Sequence, residues 1–183
     1  MISQVRHIHS DLVARCKKGD RRAQRELYES YATAMFNVAM RILNNREEAE
    51  DVLQEAFVDV FTKIHTYREE ATIGAWIRRI VLNRALNVVR KKKMNWADLD
   101  EERTLVADEE ENAERSDKPE PEQVHAAIKQ LPEGYRVVLS LYLIEGLSHK
   151  QIAEELKITE STSKSQFNRA KARLRKDLMA AAG

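Results

Sequence analysis

Between Ser161 and Asp177 the sequence STSKSQFNRAKARLRKD carries six cations, Lys164, Arg169, Lys171, Arg173, Arg175 and Lys176, against a single acid. Long donors at the start of a helix can bond base edges, and cations further along it can bond phosphates. Ser161, Thr162, Ser163, Lys164 and Gln166 occupy the first turns, the part that reaches bases when a helix enters a major groove. Phe167, Arg169 and Arg173 follow on the same stretch. A second basic run, Trp76 to Lys93, holds seven cations and no acid. Its Asn83 and Asn87 are one helical turn apart and share a face. Beside it, Tyr67 and Trp76 flank a polar loop. Cations for phosphates next to aromatic rings for splayed bases suit single-stranded nucleic acid.

Catalytic chemistry has no comparable support. His7, His9, His65, His125 and His149 are scattered, and none forms a metal-ligand spacing with Cys16 or with carboxylates. Glu47, Glu48, Glu50 and Asp51 cluster, but on a helix such a run reads as a solvated face. There is no glycine-rich phosphate loop. The expectation is a protein with no catalytic residue, no metal, no cofactor and no small-molecule substrate.

The elements that must position these groups are helical. Asp11–Lys18 reads as a short helix stopped by Gly19, a natural left-handed terminator. Asp20 then caps a helix to about Leu43, with Leu27, Tyr31, Met35 or Ala34, Val38 and Ile42 on its apolar stripe. Asn45 with Glu48 forms a capping-box pattern opening a helix to about His65. Tyr67–Gly74 reads as loop, and Trp76 to about Lys93 as a helix with Ile77, Ile80, Val81, Ala85 and Val88 inward. A second apolar block begins at Val124. Pro132 suits a helix start and Gly146 a stop. In the stretch from Leu147 to Lys176, Ser148 with Gln151 makes a capping box and Thr159 an N-cap. Ile152, Leu156, Ile158 and small Ala153 would hold two crossed helices together, a helix-turn-helix.

Charge is distributed unevenly along these blocks. The 183 residues sum to +1, yet the stretch from Asp98 to Glu122 holds twelve acidic and three basic residues, a net −9 that leaves +10 on the rest. With no sustained apolar period, this stretch reads as an unfolded linker. The expectation is an all-α protein of two small helical domains, residues 1–94 and 123–183, joined by an acidic linker over 95–122. The lone cysteine permits no internal disulfide, no apolar run approaches the ~20 residues that span a bilayer, and no secretory signal opens the chain. A cytoplasmic location is expected.

EDVLQEAFVDVFTKI (Glu50–Ile64) and YREEATIGAWIRRIVLNRALNVVRK (Tyr67–Lys91) resemble the promoter-melting domain of extracytoplasmic-function (ECF) sigma factors. LPEGYRVVLSLYLIEGLSHKQIAEELKITESTSKSQFNRAKARL (Leu131–Leu174) is similar to their −35-reading domain. The resemblance implies that Asp51, Gln54 and Glu55 dock on the β′ clamp helices of core RNA polymerase, with the β flap as a further contact. It implies that the loop Arg68, Glu69, Glu70, Ala71, Thr72, Ile73 and Gly74, with Trp76, Arg79, Asn83, Asn87 and Arg90, meets the −10 element. The helix from Ser161 to Arg173 would read the −35 element. An anti-sigma factor, often membrane-anchored in this family, is the implied regulatory partner.

The chain departs from the family at the loop, where Glu69-Glu70 and Ile73 replace small residues and an aromatic. It departs again at Ser161, Ser163 and Gln166, which replace Gly, Val and Arg. Both departures bear on promoter sequence. Two other classes stand beside this one: an autonomous helix-turn-helix regulator, and a helical adaptor that binds only proteins.

Overall fold

The computed structural model describes residues 2–92 and 120–181, with side chains from 10 to 92 and from 120 to 180. The described residues are helices and short turns, with no strand among them. They fall into two compact units, Met1–Val89 and Arg90–Gly183. The expected linker, except its last three residues, lies outside the described residues.

In the first unit, α1 (Ile2–Lys17) is followed by α2 (Arg21–Leu43) and α3 (Arg46–Lys63). Helix α1 begins well before the expected Asp11. Gly19 takes φ +80° between α1 and α2, where a side chain would be strained. Asp20 Oδ1 accepts from the backbone N–H of Arg22 at 2.8 Å and of Ala23 at 3.2 Å, a cap that contributes about 1 kcal/mol. Asn44 adopts a left-handed conformation to end α2, and Asn45 Oδ1 accepts from Glu48 N at 3.1 Å to start α3. The 3-10 turn Ile64–Thr66 leads into an exposed loop, then α4 (Ile73–Lys91).

Helix α4 starts three residues before the expected Trp76, because Thr72 Oγ1 accepts from Ala75 N at 3.2 Å and caps it. The inward face also differs from the expected one. Ile77, Val81, Leu82, Ala85, Leu86 and Val89 are buried, whereas Ile80 and Val88 are only half-buried. Leu27, Ile42, Val60, Ile77, Val81 and Leu86 are the fully buried centre of the unit.

The second unit contains α5 (Pro121–Gln130), α6 (Glu133–Leu143), α7 (His149–Leu156) and α8 (Glu160–Ala181). Pro132 caps α6 rather than occupying its first turn, and Gly146 (φ +72°) turns the chain after it. At the α7 start, Gln151 N donates to Ser148 Oγ at 3.3 Å and Ser148 N donates to Gln151 Oε1 at 2.9 Å, completing the capping box. Lys157 ends α7 at φ +57°, and Thr159 Oγ1 accepts from Thr162 N at 3.0 Å to open α8. Helix α8 packs on α6 and α7, where Leu131, Tyr135, Leu139 and Ala170 form a core joined by Ile128, Phe167 and Leu174.

Candidate nucleic-acid interface

Helix α8 presents two chemically distinct faces. Ser163, Gln166 and Ala170 are each 0% exposed. Ser161, Lys164, Asn168, Lys171 and Arg175 are exposed, a run whose 3–4 spacing defines the outward side. Two of the expected base readers are therefore corrected. Ser163 Oγ lies 2.9 Å from His149 Nδ1 in the helix-turn-helix interior, and Gln166 shares its inward face. Residues two apart on a helix cannot share a face, so Lys164 and Gln166 cannot both meet a groove.

The outward residue missed in the sequence is Asn168, one turn after Lys164. Its signal was present: with Ala170 and Leu174 inward, helical phase turns 168 outward. Among the other expected −35 residues, Thr162, Phe167 and Arg169 are half-buried, and Arg173 is exposed. Phe167 packs with Tyr142 (4.6 Å between ring centroids) and His149 (5.5 Å), and the Tyr142 ring stacks on His149 at 4.5 Å. Burial, then the charge of Lys164, pushes the His149 pKa below its ordinary value against a smaller pull from Glu160. The outward cations are lightly engaged. Lys164 pairs with Glu160 at 2.8 Å, and Arg173 Nε meets both oxygens of Asp177 at 3.0 and 3.1 Å. Such exposed i,i+4 pairs contribute only about 0.3–0.5 kcal/mol, so a phosphate can displace them.

In the first unit, Arg68, Glu69, Glu70, Ala71 and Thr72 are all exposed, while Ile73 is 3% exposed. Ile73 and Gly74 are corrected here: both belong to the first turn of α4. Ile73 points into the core, and a Cβ on Gly74 would lie 2.8 Å from Tyr31 Cε1, so Gly74 is there for close packing. Glu69 takes φ +62°, a left-handed conformation unusual for its type. Trp76 is half-buried with its ring centroid 5.5 Å from that of Tyr67; Arg79 is exposed and Arg90 half-buried.

Asn83 and Asn87 are exposed and line one groove of about 400 Å³ with Asp59, Lys63, Ile80 and Arg84. Arg84 Nε donates to Asp59 Oδ2 at 2.7 Å, its Nη1 donates to Glu55 Oε2 at 2.9 Å, and Lys63 reaches Asp59 at 3.3 Å. Burial opposes ionisation of Asp59, but the bonds from Arg84 and Lys63 outweigh it and hold its carboxyl below the usual range. The acid in this groove is thus neutralised by two cations, which removes its repulsion of a phosphate. Asp51, Gln54 and Glu55 are exposed on α3 opposite its buried Val52, Leu53, Ala56 and Phe57. Among the described residues no group of three or more His, Cys, Asp or Glu could hold a metal ion, and no helix is long and apolar enough to cross a membrane.

Residues 27–94 match the family model for Sigma-70 region 2, and residues 122–174 match that for Sigma-70, region 4. The RNA polymerase sigma-H factor of Pseudomonas aeruginosa is 30% identical over 177 residues, covering 91% of this chain and 92% of that protein. The ECF RNA polymerase sigma factor SigW of Bacillus subtilis is 32% identical over 181 residues, covering 91% of this chain and 94% of its own length. The chain belongs to the ECF sigma factors of the sigma-70 family.

The fold of this sigma factor is shared by the solved sigma factor RpoE of Bartonella quintana, in complex with the anti-sigma factor NepR. The TM-score is 0.50 at 19% identity, over 85% of this chain and 96% of that one. The region 2 match spans α2 to α4 with the exposed loop, and the region 4 match spans α5 to most of α8.

Proposed function

We propose that this sigma factor binds core RNA polymerase and directs initiation at promoters carrying −10 and −35 elements, with no catalytic site of its own. The observation that supports this most is that each unit carries its own exposed base-reading surface. In the second unit it is the outward face of α8, with Ser161, Lys164 and Asn168 toward bases and Lys171, Arg173 and Arg175 toward phosphates. In the first it is the exposed loop 68–72 together with Asn83 and Asn87 on α4, whose polar groups, with the exposed cations Arg68 and Arg79, suit an unstacked strand.

Residues 1–94 form the −10 domain, 95–122 the linker and 123–183 the −35 domain. Asp51, Gln54 and Glu55 dock on the β′ clamp helices, and the second domain meets the β flap. The acidic linker suits a basic cleft that nucleic acid would otherwise occupy. The protein works in the cytoplasm, and an anti-sigma factor, membrane-anchored in the family manner, holds it inactive. RpoE of Bartonella quintana is solved in complex with the anti-sigma factor NepR.

The experiment separates a polymerase subunit from an autonomous regulator. The chain alone should bind promoter duplex weakly, and adding core polymerase should create specific binding. Tight, sequence-specific binding by the chain alone would favour the autonomous regulator. Undiminished capture of core by the Asp51→Arg, Gln54→Ala double variant would move the docking surface elsewhere.

A further inference from the structure

The exposed loop between Tyr67 and Ile73 is held from beneath by two residues to which neither the promoter nor polymerase assignments give a role. Tyr67 is 8% exposed, so its side chain turns inward beside a loop whose next five residues all face solvent. Its hydroxyl donates to the carbonyl of Ala71 at 2.6 Å, a bond across the loop from its entry to near its exit. The backbone carbonyl of Tyr67 accepts from Lys17 Nζ at 3.0 Å, and the same ammonium stands 5.8 Å from the Tyr67 ring centroid. Lys17 belongs to the last turn of α1, fifty residues earlier in the chain. The Tyr67 ring also packs on Trp76, and its backbone N–H donates to Ile64 O at 3.2 Å.

These contacts fix both ends of the loop. The exit is capped by Thr72, which takes N–H groups from Ala75 and Trp76. Between the fixed ends, Glu69 is kept in the left-handed region, a conformation that persists only where the surroundings impose it. A loop with so few apolar residues of its own would otherwise sample many shapes, and ordering it on binding would weaken capture.

We infer that Tyr67 and Lys17 are positioning residues for base capture: the Tyr67 hydroxyl and the Lys17 ammonium set the shape in which residues 68–72 receive an unstacked −10 base. This rests on the assignment of the loop to the −10 element. Neither residue touches the nucleic acid. They act through the backbone of the loop.

The test uses the full chain in holoenzyme, on a promoter selected by that holoenzyme from a library randomised across both elements. Tyr67→Phe keeps the ring and removes only the loop-closing hydroxyl; Lys17→Met keeps the aliphatic stem and removes the ammonium. Open-complex formation is measured on the intact promoter and on a series with an abasic site at each non-template −10 position in turn. Each variant should lose about three- to tenfold on the intact promoter, the size of one hydrogen bond, with core capture unchanged. At the one position whose base is captured, removing the base brings wild type and variant to the same level, so the variant's deficit vanishes there. Elsewhere the variant's deficit persists.

A deficit of equal size on every template, or none on the intact promoter, overturns the positioning role while leaving base capture intact. If no abasic position weakens the wild type, base capture itself fails and the positioning role falls with it.

Discussion

Lys164 and Asn168 stand one turn apart on the exposed side of α8, while Gln166 between them is 0% exposed. Neither Oε1 nor Nε2 of Gln166 has a hydrogen-bond partner among the described residues. Burying an unbonded amide costs about 1–3 kcal/mol, so Gln166→Met should raise stability by about 1 kcal/mol or more, or about 4–8 °C in Tm for a unit this small. Promoter preference should not change, whereas Lys164→Ala or Asn168→Ala should cost ~1–3 kcal/mol at the preferred −35 sequence and relax one or two positions. Thermal melts and a −35 substitution series check this. A Gln166→Met protein that melts lower and loses preference would return Gln166 to the groove. The sequence showed the chemistry of Gln166 but not its phase. A polar side chain is assigned to a surface by type, and here the inward neighbours Ser163 and Ala170 overrule that.

His149 gives a second residue-scale test. Its folded pKa lies below the ordinary ~6.5, chiefly through burial and then through Lys164. The folded state therefore favours neutral imidazole. The stability this contributes is fully present above the unfolded value and is lost as the pH falls through the lower folded one. Urea melts of the wild type should weaken from pH 7.5 to pH 5.5. His149→Asn, which can still reach Ser163 Oγ without titrating, should weaken less. Equal acid sensitivity in both would assign the effect to other groups.

At the scale of elements, four capped helix starts were legible in the sequence. Asp20, Asn45, Ser148 and Thr159 cap helices as their types demand, because a short polar side chain before an apolar period has few other uses. Helix α4 was less legible. Thr72 is also a capping residue, but the polar run before it reads as loop and takes in Ile73 and Gly74, which belong to the first turn of α4. Helix α8 shows how an element can moderate its own charge. Arg173 is held by Asp177 on the same helix, so a phosphate must displace a carboxylate to bond it. Asp177→Asn should strengthen holoenzyme binding to all promoter sequences alike and steepen its salt dependence by up to one unit. A change confined to particular base pairs would show that Arg173 reads bases.

At the scale of the whole molecule, a total of +1 conceals an acidic run of net −9 over residues 98–122 and +10 on the residues either side of it. Each unit has its own core and its own exposed surface of cations and amides, and family relatives of nearly the same length align over 91% of the chain. The order of the units was readable because helix periods and charge blocks are local signals. The support of the loop by Lys17 was not, since it depends on residues fifty positions apart in the chain. The most direct test of the account is run-off transcription from a randomised promoter library, using core polymerase with and without this chain. Transcripts should require the chain and should enrich templates sharing one −10 and one −35 sequence at fixed spacing. Lys164→Ala should then alter only the −35 consensus and Asn83→Ala only the −10 consensus. Transcripts independent of the chain, or enrichment of a single element unaffected by either substitution, would contradict it.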